Sequence, residues 1–187
     1  MNPYEKCPVF EGERFKLRLV EKSDAKDLLQ VYSDEQAVYL FNGDNCDGDD
    51  FHYTTLERMQ KAVDFWVWSY ENKWFVRWAI IDKENNKAIG TIELFNRQAQ
   101  DYFNNCGLLR LDLGSVYEKE TYIKEILGLI VEPTYALFAC DKIATKAKPI
   151  AKERIKALEA LGFKLSKEVL IGVDDHKSYS DYYELKE

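Results

Sequence analysis

The densest chemistry in this chain is a run of carboxylates. Four aspartates lie within residues 42–50, Asn-Gly-Asp-Asn-Cys-Asp-Gly-Asp-Asp. Oxygens at that density could hold a calcium ion, but the EF-hand spacing fails. With Gly48 as the central glycine, Gly43 falls at the first ligand position and Thr54 at the twelfth, where Asp and Glu are required. The segment reads as a solvated polar loop whose charge favours a positive ligand. The other reactive side chains are scattered. Cys7, Cys46, Cys106 and Cys140 show no CxxC spacing and the chain has two histidines. A zinc site is therefore not expected, and reduced, structural cysteines are. Cys140 and His176 are the residue types of a nucleophile and its base, but nothing in their sequence context supports that pairing.

These groups must be positioned by a chain of 187 residues, a length that fits a single domain over 1–187. The hydrophobic fraction is 46% and the charged fraction 32%, which suits a soluble globular protein. A net charge of −7 argues against nucleic acid as a partner, because phosphate binding needs a cationic footprint. The same charge is compatible with an amine acceptor. No apolar run approaches the roughly 18 residues of a membrane span. The first residues show no apolar segment with a basic flank, so a cytoplasmic location is expected.

Periodicity locates the elements. Phe15, Leu17 and Leu19 alternate with Arg14, Lys16 and Arg18 in a half-buried strand. Ser23 offers an N-cap for a helix carrying Ala25, Leu28, Leu29 and Tyr32. Thr54 and Glu57 have capping-box spacing ahead of a helix whose apolar face is Leu56, Met59, Val63, Trp66, Val67 and Tyr70. Phe65 and Trp68 lie partly off that face and are expected in the core. Residues 74–81 and 88–96 read as a hairpin closed by the turn at 83–87. All four tryptophans fall between positions 66 and 78, which predicts a large share of the core there.

Residues 97–107 form a polar connection to a strand at 108–113, where Leu109, Leu111 and Leu113 alternate with polar residues. Ile123, Ile126, Leu127, Ile130, Val131, Leu137 and Phe138 recur at helical spacing and predict one long helix, kinked by Pro133. A short strand is expected at 142–147. Pro149 suits the first turn of a helix carrying Ala151, Ile155, Leu158 and Leu161. The tail reads as two strands joined by a turn, the last rich in tyrosine.

That order of elements resembles the GNAT superfamily of acetyltransferases over nearly the whole chain. The residues that carry the resemblance are Ala-Leu-Glu-Ala-Leu-Gly-Phe at 157–163, Ile-Gly-Thr-Ile at 89–92, and the opening run from Arg14 into the helix that contains Ala25. The opening is similar to the branch that acetylates protein N-termini, including those of ribosomal proteins. The resemblance implies an α/β (α+β) fold with a mixed, mostly antiparallel sheet flanked by helices. Two parallel central strands would splay around the thioester of acetyl-CoA, with main-chain contacts from Leu111, Asp112 and Leu113. It places the pyrophosphate loop at Glu118, Lys119, Glu120, Thr121 and Tyr122.

The chain departs from the family at that loop. Lys119 and Thr121 stand where the family has glycines, which let the backbone approach phosphate at a helix N-terminus. Glu118 and Glu120 add negative charge, although glutamates suit a first helical turn on their own account. Family positions commonly Asn, Ser and Tyr are Ala151, Arg154 and Leu158 here. Glu93, on the central strand, is the candidate base. The loop at 42–50 would border the acceptor site, and Tyr179, Tyr182 and Tyr183 could shape it.

The activity implied is transfer of an acetyl group from acetyl-CoA to a primary amine, by direct attack. The acceptor would be an amine-bearing small molecule or a protein N-terminus, with a homodimer possible. The missing glycines motivate one alternative: a non-catalytic GNAT-fold module that has lost acetyl-CoA and binds a ligand or protein.

Overall fold

The computed structural model describes residues 2–187. Ten strands and six helices follow one another as β1 (Phe10–Glu11), β2 (Phe15–Leu19), α1 (Ala25–Tyr32), α2 (Glu35–Val38), α3 (Leu56–Glu71), β3 (Val76–Asp82), β4 (Lys87–Arg97), β5 (Cys106–Leu113), α4 (Glu120–Gly128), α5 (Val131–Phe138), β6 (Lys142–Lys146), α6 (Lys152–Ala160), β7 (Lys164–Leu165), β8 (Leu170–Ile171), β9 (Ser178–Tyr179) and β10 (Tyr182–Lys186). Eight strands form one sheet in the order β1-β2-β3-β4-β5-β6-β10-β7, and β8 and β9 pair separately. Every pairing in the large sheet is antiparallel except β5 with β6. This is the mixed, mostly antiparallel architecture expected from the sequence.

The sheet is covered on both faces. Leu28, Tyr32, Met59, Val63 and Trp66 of α1 and α3 pack with Ala79 and Ile81 on one face. Ile123, Ile126 and Leu127 of α4, with Phe138 of α5 and Leu158 of α6, pack with Trp78, Ile80, Ile92 and Leu111 on the other. Burial on both faces explains why β3 is buried along its whole length.

Several local expectations are corrected. The turn before α1 is capped by Glu21 and Asp24 rather than Ser23, because the Asp24 carboxylate accepts from the Glu21 N–H at 2.8 Å and also binds Arg18. The cap of α3 is Thr55, one residue later than expected, and its hydroxyl accepts from Arg58 N–H at 3.3 Å. The long helix is two helices, and the break lies at 129–130, ahead of Pro133. Pro133 sits in the first turn of α5, where its missing N–H leaves no bond unmade. Pro149 lies in the turn before α6, whose N-cap is Ala151. Of the tryptophans, Trp66 and Trp78 are buried, but Trp68 and Trp74 are 44% and 56% exposed, as is Phe65 at 48%. Phe65 and Trp68 stack and Trp74 meets both edge-on, forming a cluster at the end of α3 rather than entering the core.

Gly90 accounts for the Ile-Gly-Thr-Ile run. A Cβ at this position would overlap the Asp112 carbonyl oxygen and crowd Leu113 Cα, both backbone atoms of β5. Glycine is what lets β4 and β5 approach there.

Candidate active site

Strand register assembles a row of charge on the α1–α3 face of the sheet. Arg77 of β3 is paired with Glu93 of β4, and Glu93 with Arg110 of β5. One Glu93 oxygen receives the Arg77 guanidinium and the other accepts from Arg110 Nη1 at 2.6 Å. In the next row Thr91 is paired with Asp112. Arg77 Nη1 donates to Asp112 Oδ2 at 3.1 Å and to Thr91 Oγ1 at 3.0 Å, and Tyr32 donates to Asp112 at 2.7 Å. The Arg77 guanidinium lies 4.2 Å from the Trp66 ring centroid. Buried charges persist only when paired and hydrogen-bonded, and alternation on three adjacent strands supplies the partners.

The two carboxylates are driven apart. Burial pushes both up, but the Arg77 and Arg110 charges outweigh it at Glu93 and hold its carboxyl below the ordinary glutamate value. Burial dominates at Asp112 and leaves its carboxyl raised, since Arg77 also serves Glu93.

Glu93, Arg77 and Arg110 line a cavity of about 830 Å³, whose walls include Trp66, Phe75 and Phe95. Asp47, Asp174 and Asp175 line it and are exposed. The exposed cations of the lining, Arg58 and Lys61, are paired with Asp49 and Glu57, so the mouth is acidic on the side of the 42–50 loop and the β8–β9 turn. Asn45 joins the two loops at that mouth. Its amide donates to Asp174 at 2.8 Å and accepts from the Asp174 N–H at 3.0 Å, while its own N–H donates to Tyr179 Oη at 3.3 Å. Asp44 accepts from Lys146 at 2.7 Å and from Tyr182 at 3.1 Å, and its carbonyl accepts from Arg110 at 2.9 Å. The polar loop thus walls the cavity. No group of three or more His, Cys, Asp or Glu suited to a metal occurs among the described residues.

Beside this cavity the parallel pair parts. Cys106–Leu109 of β5 pair with Lys142–Thr145 of β6, and no pairing with β6 continues beyond Leu109. Main chain at 110–113 therefore borders a gap that β6 does not fill. The gap holds Arg154 of α6. Its Nη1 donates to Leu111 O at 2.9 Å, its guanidinium pairs with Glu118, and the side chain is 2% exposed. Below it, the Glu120 N–H at the start of α4 donates to Glu153 Oε2 at 3.2 Å. The unpaired edge of β5 and the start of α4 offer the main-chain groups that the resemblance assigns to acetyl-CoA, and side chains of α6 already bond the Leu111 carbonyl and the Glu120 N–H.

The structure distributes the sequence-selected residues as follows. Glu93 sits at the deep end of the cavity. Leu111 offers its carbonyl to the gap, Asp112 turns its carboxylate to Arg77, and Leu113 is core. Glu118 pairs with Arg154, and Lys119 is the exposed N-cap of α4, 5.2 Å from the Tyr122 ring. Glu120 offers its N–H to Glu153, and Thr121 is exposed. Tyr122 is turned away to Arg14 and Phe15. Tyr182 reaches the cavity, Tyr179 bonds the mouth loops and Tyr183 packs in the core. Cys140 is buried with its thiol on Thr134 O, whereas His176 lies in the exposed β8–β9 turn. Sequence reasoning missed Arg77, Arg110 and Arg154. The opposition of Arg77 and Glu93 was available from the hairpin register, but that of Arg154 and Glu118 was not.

Comparison with known proteins agrees with this architecture. The fold is similar to a protein described as a ribosomal-protein-serine acetyltransferase from Vibrio cholerae, at 12% identity and a TM-score of 0.72 over 100% of both chains. It is also similar to a ribosomal-protein-S5-alanine acetyltransferase from Vibrio fischeri, at 17% identity and a TM-score of 0.71 over 96% of each chain. A third likeness is to RimL, a ribosomal L7/L12 α-N-protein acetyltransferase in complex with coenzyme A, at 13% identity and a TM-score of 0.70, covering 96% of this chain and 98% of that one. At these identities the likeness is one of fold. The sequence has no significant match among curated proteins. The family model of the acetyltransferase (GNAT) domain matches residues 14–164. The chain therefore belongs to the GNAT acetyltransferases, a family of transferase enzymes.

Proposed function

We propose that this protein transfers an acetyl group from acetyl-CoA to a primary amine, the amine entering through the acidic mouth of the cavity and attacking the thioester directly. The observation that carries the reading is that buried Glu93 lines a cavity also lined by exposed Asp47, Asp174 and Asp175, beside the parting of β5 and β6. When bound, acetyl-CoA would supply an activated acyl carbon, held by main chain at Leu111–Leu113 and the start of α4. Asp47, Asp174 and Asp175 attract and orient an ammonium group. Glu93, kept ionised by Arg77 and Arg110, is a weak base towards a free ammonium ion. The amine would attack in its neutral form, its first proton passing to solvent. Once the C–N bond is made, Glu93 would take the second proton from the far more acidic nitrogen as the C–S bond breaks and coenzyme A leaves as a thiolate that solvent protonates. Ribosomal-protein acetyltransferases among the structural neighbours support an α-amine at a protein N-terminus as the acceptor.

The test is mass spectrometry of a panel of small amines and N-terminal peptides after incubation with acetyl-CoA. The expected result is acetylation of cationic acceptors in preference to acidic ones. Transfer to none of them, by protein that binds acetyl-CoA, would overturn the reading.

A further inference from the structure

We propose that Arg154 is a gate on the acyl-CoA slot: its guanidinium closes the parting of β5 and β6 in the free protein and must leave before the pantetheine arm can enter. The inference rests on the transferase reading above for the identity of the incoming group. Two neighbouring residues of α6 satisfy the two ends of the slot. Arg154 takes the Leu111 carbonyl at 2.9 Å, on the stretch of β5 that β6 leaves unpaired. Glu153 puts a carboxylate oxygen 3.2 Å from the Glu120 N–H, where a helix N-terminus would otherwise receive an anion. The first turn of α6 thus occupies from within the groups an acyl-CoA would need.

This arrangement gives a role to Glu118, one of the two glutamates that add negative charge at the loop. Arg154 is buried at 2% exposure, and a cation so enclosed needs a counter-charge. Glu118 supplies it. Leu40 O, 3.5 Å from Arg154 Nη1, closes the far side from the segment after α2. Glu118 and Arg154 are thus the two halves of one closed latch, joining the β5–α4 loop to α6.

The test is calorimetric titration of wild type and of the double variant Arg154→Ser with Glu118→Gln, which opens the gap without stranding a buried charge. The probes are coenzyme A and 3′,5′-ADP, which lacks the pantetheine arm. A gate that is closed nine-tenths of the time weakens apparent affinity by about tenfold. The double variant is therefore expected to bind coenzyme A about tenfold or more tightly than wild type, with a smaller gain for 3′,5′-ADP. Thermal unfolding confirms that the variant is folded. Unchanged or weaker coenzyme A binding by the folded variant overturns the gate, as does failure of both proteins to bind it. A variant that binds coenzyme A tightly but acetylates no amine leaves the gate standing and sinks the transferase reading instead.

Discussion

Glu93 and Arg110 face each other across β4 and β5 at 2.6 Å, and the same carboxylate is faced from β3 by Arg77. One acid thus compensates two enclosed guanidiniums, and the three residues act as a unit.

Replacing Glu93 by Gln should therefore be severe. It leaves two buried cations short of their common partner, and breaking a buried pair from one side costs about 3–5 kcal/mol. Asp112→Asn should cost less, about 1 kcal/mol, since burial already opposes the charge there and the amide keeps an acceptor for Tyr32 and Arg77. Urea unfolding of the two variants separates them, and a larger loss for Asp112→Asn would contradict the charge assignment.

Acid should destabilise the fold. Despite burial, Arg77 and Arg110 hold Glu93 below its ordinary value, Arg14 does the same for Asp82, and Arg97 for Asp101. For groups depressed in the folded state, the stabilisation is complete above the unfolded value, about pH 4, and is lost as pH falls through the folded value. Asp112 is raised, so its contribution has the opposite sign: present at low pH and lost as pH rises through its folded value. Asp34, held down despite burial by its hydrogen bonds to Ser115, Gln36 and Ala37, joins the depressed groups, which outnumber Asp112. The thermal midpoint should fall from about pH 5 towards pH 2, and Glu93→Gln should flatten that slope. A midpoint that rises on acidification would refute the balance.

Gly90→Ala should weaken the β4–β5 contact directly. The added methyl meets backbone rather than a movable side chain, so the strands must part. Overpacking of this kind costs about 1–3 kcal/mol. Thermal unfolding measures it, and an unchanged midpoint would show that the close approach is not required.

Asn45→Ala should act on the cavity mouth and not on the fold. It removes the hydrogen bonds that join the 42–50 loop to Asp174, at a global cost below about 1 kcal/mol. Amide exchange at Asp174 should accelerate while core amides of β4 keep their protection. Equal acceleration in both would mean the Asn45–Asp174 link supports the whole domain.

The strands and helices were legible because burial repeats with a period, whereas the helix-flanked sheet and the family were legible through the resemblance carried by the runs at 89–92 and 157–163. Leu109, Leu111 and Leu113 alternate in sequence and lie on the core face of β5. Helix ends were less legible. Caps at Glu21 and Thr55 depend on which oxygen reaches which N–H, and residues one or two apart offer the same chemistry. The exposed cluster of Phe65, Trp68 and Trp74 was misplaced because aromatic composition predicts burial without saying which side of a helix turns outward.

The sequence by itself determined the strands, the helices and the acidic loop, because local patterns of polarity carry them, and its resemblance to a family supplied the mixed sheet and the departure from glycine at 119 and 121. Only the tertiary structure decided what the substituted loop does. Glu118 and Arg154 meet across a separation of 36 residues, and Arg77, Glu93 and Arg110 align only through the register of three strands. Charges carry no periodicity that names their partners. Pairing is selected when the chain closes and every buried ion must find a counter-charge.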